Sequence, residues 1–312
     1  MIIATHSGKF HADDVWAVAT LNILFPGCAL VRTRDEKKIG AADFAVDVGG
    51  IWDAPTGRFD HHQKGFDGAR PSGVVYASAG LVWKEFGARC VARITEGLPG
   101  YEIRPEQTKE IAQAIDNDLV QYLDMSDTGA AKNAPGSYGL SAVIGGFNTS
   151  WLDEQQAGNA AAAEDLRQQQ FLRAAEFATD IMINAVKYRV GAARAVEQVR
   201  QSERLEDGQL LFLKNGALPW ASVVRHEMPA VVFVISYQPT EDRYMLHTIP
   251  TAPDTFEARK DLPEPWAGLR DEGLAAVTGV PDAIFCHNNL FIAAAKSFEG
   301  ILKMARTALA AS

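Results

Sequence analysis

The chain is poor in cysteine. Of 312 residues only Cys28, Cys90 and Cys286 carry thiols, and no two stand at Cys-x-x-Cys spacing. That scarcity excludes a disulfide framework and a thiolate zinc knot, and lone thiols suit a reducing compartment. Long apolar runs are also missing. The longest, Ala230 to Tyr237, falls far short of the roughly 20 residues that a membrane-spanning helix needs, so no membrane partner is expected. The opening Met-Ile-Ile-Ala-Thr-His has neither a basic region nor a cleavage site. No secretory leader is therefore expected, and the expected location is cytoplasmic. An excess of positive charge is absent too: 30 Lys plus Arg face 39 Asp plus Glu, for a net charge of −9. That balance opposes broad capture of nucleic acid, which needs clustered Lys and Arg. It leaves room for a local basic groove, or for metal ions that supply the positive charge. Core material is present in ordinary measure, 47% hydrophobic against 22% charged residues, which excludes a disordered or coiled-coil chain.

The length suggests two domains. Met1–Thr5, Ala29–Thr33 and Phe44–Val48 read as short strands, with a helix over Asp13–Phe25 stopped by Pro26-Gly27. Strands alternating with helices imply a parallel sheet with right-handed crossovers. Asp53-Ala54-Pro55-Thr56-Gly57 has the turn chemistry of a hairpin tip between Ile51 and Phe59. Val74–Phe86, ended by Gly87, and Glu106–Tyr122 suit amphipathic helices, and Ala130–Gly146 reads as a loop feeding a short helix. From Glu154 to Leu205 the pattern is helical, with Phe171, Ala174, Ala178, Ile181 and Ala185 forming a core-facing stripe. Beyond Asp207-Gly208 the texture turns to strands at Gln209–Leu213, Val231–Tyr237, Tyr244–Ile249 and Ala283–Cys286. Helices are expected over Gly268–Thr278 and Phe298–Ala310. The expectation is an α/β protein: a parallel-sheet N-terminal domain over residues 1–200, including the long helical connector, and a smaller α+β domain over 201–312.

Histidine placement is the most informative feature. Seven His in 312 residues predict roughly 1.4 in the first 62 on composition alone. Four are there: His6, His11, His61 and His62. His6 closes the first strand, His11 with Asp13 and Asp14 opens the following helix, Asp47 closes a strand, and Asp60-His61-His62 closes the hairpin. Sites in open parallel sheets form at the carboxyl ends of strands, so these segments can converge on one crevice. Imidazoles with carboxylates and no thiolates bind first-row divalent ions such as Mn²⁺, Zn²⁺, Fe²⁺ or Co²⁺. Gathered carboxylates without a cation would repel one another. Asp116, at the end of an amphipathic helix, is the further acid that could complete the set.

The segments His6-Ser-Gly-Lys-Phe-His11-Ala-Asp13-Asp14, Val31-Arg32-Thr33-Arg34-Asp35, Val46-Asp47-Val48-Gly49-Gly50 and Arg58-Phe59-Asp60-His61-His62-Gln63 resemble the Myg (melanocyte proliferating gene) family. That family is a branch of the DHH phosphoesterase superfamily, with RecJ-type nucleases and family II inorganic pyrophosphatases. The resemblance continues through Ile115-Asp116-Asn117, Leu140-Ser141-Ala142 and Leu262 to Asp271, and so covers nearly the whole chain. It implies a DHH-type N-terminal domain holding two divalent ions, typically Mn²⁺, with Mg²⁺ also open. By the resemblance, His6 and His11 would bind one ion, Asp13 and Asp116 the other, and Asp47 would bridge. His62 or His61 would bind metal or face the scissile phosphate. Asp14 would cap the helix or support the ligands, and Asp60 would orient a histidine. Near the C-terminus the family follows an apolar pair with Gly-Gly, where this chain has Phe291-Ile292 followed by Ala293-Ala294-Ala295. His287 and Lys296 are candidate phosphate contacts there, and Arg32 and Arg34 could line the rim of the N-terminal crevice.

The expected activity is metal-dependent hydrolysis of a phosphate ester, as a 3′-to-5′ exonuclease on RNA or short oligonucleotides. Exonuclease specificity comes from the resemblance; the residue set alone supports hydrolysis at a metal pair. One alternative keeps the site and changes the substrate to pyrophosphate, a dinucleotide or a nucleotide phosphate. Another is a non-catalytic protein with a structural metal, although structural zinc sites are usually closed and thiolate-rich. An oligomer is compatible with all of these.

Overall fold

A computed structural model describes residues 1–130, 139–253, 255 and 257–311. It divides into two units, Met1–Val190 and Gly191–Ser312. The first contains β1 (Ile2–Thr5), α1 (Ala12–Leu24), β2 (Ala29–Arg32), α2 (Glu36–Ala41), β3 (Phe44–Val46), β4 (Trp52–Asp53) and β5 (Arg58–Phe59). It continues with α3 (Ser78–Glu96), α4 (Pro105–Ile115), α5 (Gln121–Asp127), α6 (Leu140–Gly145), α7 (Trp151–Gln156) and most of α8 (Ala160–Arg200). A π turn, Asp116–Val120, joins α4 to α5.

The sheet of this unit has five strands in the order β2-β1-β3-β5-β4. All pairings are parallel except that of β4 with β5. Two-residue strands on either side of a turn are what the Asp53–Gly57 segment predicts. α1 has little polar–apolar asymmetry, because every residue from Ala12 to Leu21 is buried. Its tight covering includes Trp16 beside Trp83 and, next to its start, Phe10 edge-on to Phe171. α3 does not stop at Gly87. It runs on to Glu96 because Cys90, Val91 and Ile94 extend its buried face.

The helical stretch expected from Glu154 is interrupted at Ala157–Asn159, where Gly158 has φ +81° and Asn159 accepts from the Ala162 amide. Beyond it the fully buried stripe of α8 is Phe171, Ala174, Ala178, Met182, Val186 and Val190. Ile181 and Ala185 flank that stripe, which advances in steps of four from Ala174 and so drifts round the helix away from the three–four alternation they follow. The loop expected over Ala130–Gly146 includes residues 131–138, which lie outside the described residues; its short helix is α6.

The second unit comprises β6 (Glu203–Leu205), β7 (Leu210–Leu213), α9 (Ala221–Glu227), β8 (Phe233–Gln238), β9 (Arg243–Thr248), α10 (Asp271–Thr278), β10 (Ala283–Cys286), β11 (Ile292–Ala295) and α11 (Phe298–Ala310). Its six-stranded sheet is ordered β10-β11-β9-β8-β7-β6, antiparallel apart from β7 with β8. Alternation along β8 sends Phe233 and Ile235 to one core and Val234 to another, as a strand covered on both faces requires. This is a smaller α+β unit, as expected. β11 is the strand that the alanine-rich sequence hides: Ala293, Ala294 and Ala295 are completely buried between paired strands.

Trp16→Ala removes one of the largest fully buried side chains. It is expected to cost about 3–5 kcal/mol of unfolding free energy, measured by urea denaturation.

Candidate metal centre

β1, β3 and β5 lie side by side and parallel, so their carboxyl ends share one edge. β2 sits on the other flank of β1, so the strand order reverses there, which is where open α/β sheets form sites. The chain leaves β1 at His6, β3 at Asp47 and β5 at Asp60-His61-His62. α1 begins at the same edge, contributing His11, Asp13 and Asp14. Asp47 has φ 55°, a left-handed conformation that Asp tolerates better than most residues. Its amide donates to the Phe59 carbonyl at 3.1 Å, tying it to the end of β5.

These side chains meet. His6 Nε2 lies 3.3 Å from Asp14 Oδ2 and 3.3 Å from Asp47 Oδ2. The other oxygen of Asp47 faces His61 Nδ1 at 3.6 Å and His62 Nδ1 at 3.4 Å, and accepts from Ser78 Oγ at 3.2 Å. Asp127 closes the ring, with Oδ1 3.5 Å from His11 Nδ1 and Oδ2 3.1 Å from His61 Nε2. Three overlapping groups have donor atoms within 4.8 Å of one another: His6, His11 and Asp47; His11, Asp13 and Asp127; and Asp47, Asp60, His61 and His62. Asp60 receives the Gly50 amide at 2.6 Å and holds His62 Nδ1 at 2.8 Å, which leaves His62 Nε2 turned away from it. His11 and His62 side chains are each 61% exposed, so they mark the open side of the cluster.

The electrostatics identify what this arrangement can hold. Burial pulls the His6 imidazole down, but the carboxylates of Asp14 and Asp47 outweigh it and hold His6 up at about 10. Burial opposes ionisation of Asp47, and His6, His61 and His62 overcome that and keep it below its ordinary range. Asp13 has no such help. Burial, with the charges of Asp47, Asp127 and Asp14 added, pushes it well above the usual carboxylate range. It is completely buried, and neither of its oxygens has a hydrogen-bond partner. A buried, unpartnered carboxylate among other carboxylates is costly unless a cation joins it. The donor set, imidazole and carboxylate without thiolate, fits a divalent first-row ion.

Sequence reasoning missed Asp127 and pointed to Asp116 instead. The structure does not bring Asp116 to the cluster. Arg70 takes its carboxylate in a two-pronged pair at 2.8 and 2.7 Å. The two acids are eleven positions apart, close to three α-helical turns, so a periodic pattern cannot rank them. Arg70 also reaches Asp124 at 2.7 Å, and Asp124 accepts the Gly80 amide at 3.0 Å. Burial raises the Asp124 carboxyl to about 7 against the pull of Arg70. This buried network ties α5 to the first turn of α3, which also carries Ser78. Gly80 is required there, because a Cβ on it would lie 1.9 Å from Asp124 Oδ2.

Arg32 is likewise not on the rim. Its side chain is 1% exposed, faces Glu164 at 3.6 Å and donates to the Gly8 carbonyl. It also stacks on the rings of Phe10 and Phe171, which makes it a core cation. Arg34 is exposed, with Nη2 3.4 Å from His6 Nδ1. His287 and Lys296 belong to the second unit and are both exposed. The alanines that replace the family glycines are buried strand residues. A cavity of about 330 Å³ borders His11 and Asp127 and is walled by Ser126 of α5 and Ser141 of α6.

Fold and site together define an α/β protein that presents an imidazole–carboxylate centre at the carboxyl edge of its parallel sheet. The chain belongs to the MYG1 family: MYG1_exonuc, described as Uncharacterised protein family (UPF0160), matches residues 2–309. MYG1 exonuclease of Homo sapiens is 32% identical over 99% of this chain and 85% of its own length. The MYG1 protein of Schizosaccharomyces pombe is 31% identical over 98% of this chain and 97% of its own. Solved structures give remoter likenesses. The pGpG-specific phosphodiesterase PggH from Vibrio cholerae has TM-score 0.26 and 12% identity, covering 98% of this chain and 96% of that one. RecJ in complex with Mn²⁺ from Thermus thermophilus has TM-score 0.25 and 13% identity, covering 100% and 52%.

Two outcomes are expected. Gly80→Ala should cost about 1–3 kcal/mol by overpacking the Asp124–Arg70 network, read by denaturant unfolding, and should weaken Mn²⁺ binding as α5 shifts. In metal-free protein the raised His6 pKa contributes stability below its unfolded value of 6.5, lost as pH rises toward 10. A metal must displace that proton, so Mn²⁺ affinity should increase about tenfold or more from about pH 6 to about pH 8. Calorimetry in two buffers would count the released protons.

Proposed function

We propose that this chain is a metal-dependent phosphoesterase, and within that class a 3′-to-5′ exonuclease acting on RNA or short oligonucleotides at a pair of divalent ions, by preference Mn²⁺. The observation that carries the reading is Asp13, fully buried with neither carboxylate oxygen partnered, in a crevice of histidines and acids. Membership of a family whose human relative is named MYG1 exonuclease supports the phosphodiester class.

In this reading His6, His11 and Asp47 would hold one ion, and Asp13 and Asp127 would hold the other. Divalent ions supply Lewis acidity toward a phosphoryl oxygen and acidify an attacking water. The protein orients the reacting groups. Asp60 fixes the His62 ring through Nδ1, so that Nε2 on the exposed side faces the substrate phosphate and can hold or pass a proton there. His61 is clamped between Asp47 and Asp127, and in the metal-free protein those acids outweigh the burial that lowers its pKa. Ser78 donates to Asp47 and would keep it oriented for metal binding. The arrangement is more than a closed structural site, because two of its histidines remain open to solvent.

The net charge of −9 favours a second reading, hydrolysis of a small phosphate compound such as pyrophosphate or a dinucleotide, because a long polyanion meets repulsion away from the centre. One experiment separates them. A 5′-labelled short RNA and inorganic pyrophosphate are each incubated with protein and Mn²⁺. The expected result is stepwise shortening of the RNA from its 3′ end, abolished by chelation and in Asp47→Asn protein that retains its folded spectrum. Phosphate release from pyrophosphate without RNA shortening would move the assignment to the second reading. Inactivity on both, with metal bound, would sink the phosphoesterase reading.

A further inference from the structure

His11 is a donor that packing does little to fix. Its side chain is 61% exposed, with Asp127 at 3.5 Å and the tilted ring of His6 at 5.9 Å between centroids. A metal site tolerates little looseness in its ligands, so an exposed imidazole depends on the backbone that carries it. That backbone belongs to the segment between β1 and α1, outside any strand or helix.

Side chains hold this segment instead. Asp14 takes the His11 amide at 3.0 Å, and Arg32 donates to the Gly8 carbonyl. A further hold comes from 138 positions away in the chain. Asn148 accepts from the Phe10 amide through Oδ1 at 3.0 Å and donates from Nδ2 to the Phe10 carbonyl at 2.9 Å. Its amide thus pairs with both polar groups of one residue, as a neighbouring strand would. Nδ2 also donates to the Gly145 carbonyl at 3.1 Å. A flipped amide would set Nδ2 against the Phe10 N–H and Oδ1 against two carbonyls, so the clamp works in one sense only. The Phe10 ring is buried edge-on to Phe171. Ring and backbone are both anchored, and His11 is the next residue.

Gly145 ends α6, and with Ser141 and Ala142 it lines the cavity that borders His11 and Asp127. One side chain therefore ties the wall of that cavity to the segment that delivers His11. We propose that Asn148 is a positioning residue for His11, setting the backbone from which that imidazole reaches the ion. The inference rests on the metal-centre reading, in which His11 holds an ion with His6 and Asp47, and gives a role to a residue outside the donor set. A clamp that only satisfied the polar groups of Phe10 would act on stability and be indifferent to His11. A positioning residue acts through it.

The test titrates the full chain with Mn²⁺ and follows the free ion by electron paramagnetic resonance. Asn148→Ala should weaken binding about tenfold or more, the range in which supporting residues of metal sites act. In a His11→Ala background the same substitution should change affinity by less than about twofold, because residues that act through one another are not additive. Equal losses in the two backgrounds, or undiminished affinity in Asn148→Ala, would overturn the assignment. A His11→Ala protein that binds as tightly as the unaltered chain would overturn it too, while leaving the metal centre to the other donors. An unaltered chain that takes up no Mn²⁺ would remove the metal-centre reading and the inference together. Melting curves establish that the variants are folded. Should Asn148→Ala not fold, Asn148→Asp replaces it, keeping the acceptor for the Phe10 amide but setting an acceptor against two carbonyls. Its added negative charge alone would tighten cation binding. Weaker binding there supports the positioning role, and unweakened binding overturns it.

Discussion

Negative charge that has nowhere to go within the protein organises this molecule. Asp13, Asp14, Asp47, Asp60 and Asp127 converge at one edge of a sheet, and the first four are almost wholly removed from water. Imidazoles neutralise part of the set: His6 serves Asp14 and Asp47, and His61 serves Asp47 and Asp127. Asp13 is left over. A fold tolerates such a residue when something binds there that the folded state alone can grip, and binding then becomes folding stability by mass action. The crevice and the stability of the first unit are therefore one problem in electrostatics.

A second layer makes the first possible. The donors come from strand ends, a helix start and a helix end, each able to move independently unless braced. Ser78 braces Asp47, Asp60 braces His62, and the Arg70–Asp124–Gly80 network braces the helix that delivers Asp127. Supporting residues of this kind govern how a metal site is tuned as much as the ligands do. Arg70 is not a bystander: its guanidinium also lies 4.3 Å from the centre of the Tyr76 ring, locking the segment that leads into α3.

The legible part of the fold was what short-range chemistry specifies. Apolar runs at Ile2–Thr5, Ala29–Arg32 and Phe44–Val46 separated by a helix are enough for a parallel sheet, and strand ends in such a sheet share an edge. That rule alone brings His6, Asp47 and His61 into one neighbourhood. Features set by tertiary packing stayed hidden. The alanines of β11 favour helix on intrinsic preference and become strand only because neighbours on both sides pair with them. Gly87 looks like a helix end and is passed through, covered by Trp83. Arg32 ends β2 with its side chain in the core, while Arg34, two residues on and beyond the strand, is in solvent; strand alternation would put both on one face, so no local signal separates them. Asp116 and Asp127 present the same dilemma, settled by where Arg70 reaches.

The π turn at Asp116–Val120 gives that last distinction its mechanical basis. One residue more than an α-helix needs swings everything after it by about 100°. Surface connections usually accept a lengthening or shortening without consequence. Here a one-residue deletion would restore a continuous spiral and re-aim the downstream carboxylate off target. This stretch therefore behaves as a phase adjuster between two helical segments, in which the count of residues matters alongside the hold of Asp116 on Arg70.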